Sequence, residues 1–97
     1  MDSAQILKIS SKYETILRAT GVYAVKSDTS LNVGPGNSKA FEHCLWMCYE
    51  IERQVRAGER DKAMRWVCFI QGVLWAYGLL SIDSMRDDNR PAVENAT

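Results

Sequence analysis

Ninety-seven residues, 46% hydrophobic and 25% charged, fit a single domain able to bury about 65% of its unfolded surface without a metal or disulfide staple. Twelve basic residues balance twelve acidic ones, which excludes the electrostatic footprint of a general nucleic-acid or acidic-membrane binder. Three cysteines, an odd number, and a start without a basic n-region or an immediate apolar core point to a reducing cytoplasm.

The first helix is expected over residues 4–20, capped by Asp2 or Ser3 and stopped by Gly21. Ile6, Ile9, Tyr13, Ile16 and Leu17 recur at three- and four-residue steps and give a narrow apolar stripe. Residues 22–25 are too short a run to fix a period. Residues 26–37 read as a loop closing on Gly34-Pro35-Gly36-Asn37, with Leu31 and Val33 as its anchors to the core. The second helix starts after Asn37 or Ser38 and ends near Ala57, before Gly58. Its core face is Phe41, Cys44, Leu45, Cys48, Ile51 and Val55, within about 120° of arc. Trp46 points nearly opposite. A tryptophan there is either an interface anchor or an exposed or loop-covered aromatic.

A link of a few residues around Gly58 makes the second and third helices antiparallel neighbours. The third is expected over residues 60–77 and dominates the chain. Between Arg65 and Asp83 lie seventeen uncharged residues that include Trp66 and Trp75. Ala63, Trp66, Val67, Ile70, Val73, Leu74 and Tyr77 form one broad apolar face; Met64, Cys68 and Trp75 lie on another. Seventeen residues reach the lower limit for a membrane span. Gln71, Gly72, Gly78 and the flanking charges argue instead for a buried central helix. Gly78 stops it, Ser81 caps a short fourth helix over residues 82–88, and residues 91–97 read as a disordered tail after a domain of residues 1–90.

Candidate chemistry is sparse. Cys44 and Cys48 lie one turn apart, but no second ligand pair completes a zinc site, so they read as small buried thiols. The lone His43 points about 100° away from Cys44, which leaves a Cys–His nucleophile without its base. These absences predict a protein that is not an enzyme and that needs no metal or cofactor. The loop before the second helix lacks phosphate-loop spacing. Free amides there, with Gly36, Ser38 and Lys39, form one candidate anion site. The basic turn with Arg56 and Arg60 forms another, although interleaved acids neutralise much of its charge. Base-stacking aromatics do not alternate with those basic residues, so direct nucleic-acid binding is not expected.

Arg65-Trp66, the run from Phe69 to Trp75, Gly78, Ser81-Ile82-Asp83, Met85-Arg86 and Asn89-Arg90-Pro91 resemble small accessory proteins of tailed phages that are uncharacterised. That resemblance covers about a third of the chain and implies a virus-encoded accessory protein acting in the host cytoplasm. Gln71, Gly72 and Trp75 are also similar, in order, to the glutamine, glycine and tryptophan of phage helical-hairpin sponges for cyclic oligonucleotides. Here uncharged Ala76-Tyr77-Gly78 stands where those carry an arginine, and no binding residue is transferred.

The expected architecture is all-α: an antiparallel hairpin, an N-terminal helix packed across it and a short C-terminal helix. Trp46, Met64, Cys68 and Trp75 form the expected interaction surface. Leaving Trp75 and its neighbours wet forfeits stability that a small domain needs, which predicts a homodimer or a tight complex with another protein. Two functions lead, with a purely structural role in phage assembly also open. One is an accessory protein that inhibits or redirects a host defence or DNA-processing protein; the other is a binder that sequesters an anionic nucleotide signal.

Overall fold

Asp2 begins the first helix: its carboxylate accepts the backbone N–H of Gln5 at 2.8 Å and so satisfies one of the donors that a helix start leaves free. The protein, seen in a computed structural model that describes residues 1–34 and 36–91, contains α1 (Ser3–Arg18), α2 (Lys39–Arg56), α3 (Arg60–Ala76) and α4 (Ile82–Asn89). Asn37 rather than Ser38 supplies the side-chain cap of α2, accepting the Lys39 N–H at 3.0 Å. Ser81 caps α4 through the Ser84 N–H at 3.0 Å.

The α2–α3 link closes in a glycine-centred stop. Gly58 takes φ +80°, its N–H reaches the Val55 carbonyl, and the Glu59 N–H reaches that of Gln54 at 2.8 Å. Only glycine adopts that backbone freely. The turn reverses the chain after three residues and sets α3 antiparallel to α2, with Phe41 near the start of α2 edge-on to Tyr77 just past the end of α3. The same device ends α3, where Gly78 has φ +78° and the Leu79 N–H reaches the Leu74 carbonyl at 2.8 Å.

Helix α1 lies across α2 and, less extensively, α3. Ile6, Tyr13 and Leu17 from α1, Cys44, Leu45 and Ile51 from α2, and Val67, Ile70 and Leu74 from α3 fill the core where the three meet. Met47 is buried as well. It lies at the edge of the α2 stripe, within the same core cluster. Residues 22–25 run extended without forming a strand, pinned by a Val25 N–H to Glu42 carbonyl bond at 3.2 Å. Leu31 does not anchor its loop: it is 63% exposed, and Val33 is only half-buried. Residues 92–97 of the expected tail lie outside the described residues. No described helix is long and apolar enough to cross a membrane.

Candidate functional site

The outer face of α3 carries the candidate site. Helical geometry puts Cys68, Phe69, Gly72, Trp75 and Ala76 on the side opposite the core, and all five are exposed. Phe69 is 54% and Trp75 53% open to solvent. The surface continues past Gly78 into Leu79 and Ile82, also exposed. There Trp75, Leu79, Ile82 and Asp83 help line an open cleft of about 510 Å³ at the α3–α4 corner. Four of the seven large hydrophobic side chains left exposed among the described residues belong to this one surface, so it is a patch rather than scatter. Arg65 at one end and Asp83 at the other are its charges.

Of the residues expected at an interaction surface, Cys68 and Trp75 lie on it. Met64 does not: it is half-buried against the core, on the flank that α1 closes. Trp46 is also withdrawn. It packs on Trp66 at 5.8 Å between ring centroids and on His43 at 5.3 Å, with the Lys26 ammonium 5.4 Å above its ring. Lys62 sits over Trp66 at 5.7 Å in the same way. The 22–33 segment thus covers Trp46 with a lysine, and the two indoles weld the outer seam of the hairpin through cation–π and aromatic contacts. Phe69, by contrast, belongs to the surface although the sequence reading left it out. The signal was present: it stands three residues before Gly72, as Trp75 stands three after.

The two candidate anion sites stand apart. Gly36, Ser38 and Lys39 lie at the start of α2 and Arg56 at its end, roughly 25 Å away at about 1.5 Å per residue. Arg56 pairs with Glu52 at 2.5 Å and Arg60 with Asp61 at 3.4 Å, and the neighbours Arg53 and Lys62 are paired with Glu50 and Glu59. Near Lys39 the loop cleft of about 300 Å³ is lined by Asp28 and Glu42 as well as Lys26 and Lys39. Neither end concentrates positive charge.

The cysteines and histidine do not meet as a catalytic group. Burial pushes the Cys44 and Cys48 thiols up to about 12, so they stay protonated at neutral pH. The Nδ1 atom of His43 accepts the Ser27 N–H at 3.1 Å. Partial burial, then nearby Lys26, holds that imidazole below its ordinary value and therefore neutral. No cluster of three metal-ligating side chains occurs among the described residues.

A buried polar network, also unforeseen, holds α4 in place. Gln71 is 4% exposed; its amide donates to the Tyr13 hydroxyl at 2.9 Å and to Asn89 Oδ1 at 2.7 Å, and Asn89 Nδ2 returns a bond at 3.3 Å. Tyr13 donates onward to Asp88 Oδ2 at 2.7 Å, and Lys12 meets Asp88 Oδ1 at 2.8 Å. Gln5 donates to the backbone carbonyls of Asp88 and Arg90. Burial, then the adjacent Asp88, raises the Tyr13 phenol well above the usual tyrosine value. Since α4 has no fully buried residue of its own, these bonds, together with half-buried Met85 against the core, attach it to the rest of the fold.

Comparison with protein-family models, with curated proteins and with solved structures gives no match to this chain.

Proposed function

We propose that this protein is a binding module, not an enzyme, and that it engages another protein chain through the uncharged outer face of α3. Half-exposed Phe69 and Trp75 on either side of open Gly72 carry the reading. Large aromatics flanking a flat, charge-free strip supply the anchors that dominate binding energy, at little cost in ordered side-chain freedom. The groups that chemistry would require are otherwise engaged: two thiols are buried and protonated, and the Nδ1 atom of His43 is taken by a backbone donor. The resemblance over residues 61–91 supplies the biological setting, a phage accessory protein that inhibits or redirects a host defence or DNA-processing protein in the host cytoplasm. Sequestration of an anionic nucleotide has less support, because the basic groups are split between the ends of α2 and mostly paired with acids.

The test is co-purification from expressing cells followed by reconstitution. A protein identified by mass spectrometry is purified and titrated calorimetrically against the wild type and against Phe69→Ala and Trp75→Ala. The expected result is stoichiometric binding that each substitution weakens by at least about tenfold, about 1.4 kcal/mol. Binding unaffected by both substitutions, or a thermal shift produced instead by cyclic or linear nucleotides, overturns the reading.

A further inference from the structure

The α3 surface has an internal symmetry that specifies its occupant. Outward from Gly72, the chain meets an aromatic residue after three steps in either direction (Phe69, Trp75) and a small residue after four (Cys68, Ala76). We propose that the surface seats a second copy of this chain, with the two α3 helices antiparallel about a two-fold axis beside Gly72. The proposal rests on the reading of this face as an interaction surface and names its partner.

In that register Phe69 lies opposite the second copy's Trp75, and Cys68 opposite its Ala76. At each level one aromatic from either copy then flanks the seam, about 60° to one side or the other of Gly72, while the small residues between them let the helices approach at the near end of the usual 8–10 Å range. A two-fold interface needs such self-complementarity, since one patch must fit itself. Gly72 supplies an independent argument. A Cβ built there would meet nothing within 4 Å, so no contact inside the chain requires glycine. Glycine costs an exposed helix about 1 kcal/mol relative to alanine, and close approach of a second backbone is the feature that calls for it.

Charge fits the same arrangement. Arg65 and Asp83 are exposed, and neither takes part in an ion pair among the described residues. The antiparallel register carries Arg65 to the carbonyl end of the second copy's α3, near its Asp83. That helix end has no basic residue of its own, so each copy supplies the cation that the other's helix dipole lacks. Area is sufficient: with ~150–250 Å² per aromatic side chain, half-exposed Phe69 and Trp75, together with Leu79, Ile82 and the strip between them, present several hundred Å² per copy. The pair then reaches the ~1,000 Å² at which specific interfaces begin.

Sedimentation equilibrium of the full chain up to about 100 µM tests this against a Kd in the micromolar range. The wild type is expected to dimerise. Gly72→Leu should weaken association at least about tenfold while raising the thermal stability of the monomer, because leucine is the better helix former; loss of the dimer therefore cannot be ascribed to unfolding. Ala76→Cys should cross-link through Cys68 of the second copy when the two thiols are oxidised by diamide. A bond within one chain is excluded, since the two positions are two turns, ~12 Å, apart. A monomeric wild type, a dimer indifferent to Gly72→Leu, or no cross-link with Ala76→Cys overturns the proposal. If the wild type is monomeric yet a reconstituted partner still depends on Trp75, self-association alone falls and the interaction reading stands. If Trp75→Ala changes neither, both fall.

Discussion

Four residues apart on α3, the usual rule of burial is inverted: Gln71 is 4% exposed while Trp75 is 53% exposed. The inner position is polar yet fully partnered, with both amide hydrogens and the carbonyl oxygen bonded to Tyr13 and Asn89. The outer position is the apolar group with the most to gain from burial, and its own chain leaves it half wet. A buried amide with all its bonds made adds specificity, because α4 can dock only where the bonds are made. The exposed half of an indole adds nothing to the isolated fold and offers its area to whatever docks on it. The inner face of α3 is therefore finished by the chain, and the outer face is left open to solvent.

Breaking the inner side should give the largest effect. Gln71→Ala removes three hydrogen bonds and opens a cavity beside Tyr13. It is expected to cost about 2–4 kcal/mol in chemical denaturation. Because α4 has no fully buried side chain, amide hydrogen exchange should show α4 losing protection before α1–α3. Uniform loss of protection across all four helices would mean that α4 is held by something other than this network.

The helices were legible in the sequence because their punctuation is strong. Asp2, Ser81, Gly58 and Gly78 do their capping and stopping work locally, and the three- and four-residue apolar rhythm needs no tertiary information. The network was not legible. Gln71 sits in an uncharged run, and nothing in its neighbourhood announces that Tyr13, fifty-eight residues away, will turn a hydroxyl toward it. Trp46 was half legible. Its position off the core stripe is visible from the helical period, but the lysine that covers it arrives from a loop and the Trp66 ring it packs on arrives from the next helix. Trp75 was read as surface from its angle alone, whereas Met64, also assigned to that side, leans toward the flank closed by α1.

Sulfur repeats the contrast between inside and outside. Cys44 and Cys48 are buried and Cys68 is exposed, so iodoacetamide at neutral pH and submicromolar chain concentration should modify one thiol per native chain and three after unfolding. The buried pair also sets a pH dependence. Their folded values are raised to about 12 from an ordinary value of 9.0. Above pH 9 the unfolded chain releases thiol protons that the folded chain keeps, so stability is complete below that pH and declines as pH rises toward 12. By pH 10 the loss should be on the order of 3 kcal/mol for the two thiols together, and Cys44→Ala/Cys48→Ala should flatten that part of the profile. An unchanged alkaline profile in the double variant would show that both thiols already reach water.

The smallest effect on stability should come from the residue with the most apolar surface exposed on α3. At submicromolar chain concentration, where self-association contributes nothing, Trp75→Ala should shift unfolding by less than about 1 kcal/mol. The half of the indole that packs is lost, but alanine is the better helix former and recovers part of it. Phe69→Ala should behave likewise. The same two substitutions should remove most of the association measured at high concentration, which separates a surface kept for binding from one kept for folding. A loss of 3 kcal/mol or more from Trp75→Ala in the dilute monomer, the scale of a buried large-to-small change, would place the indole in the core of the isolated chain and end the distinction between the two faces of α3.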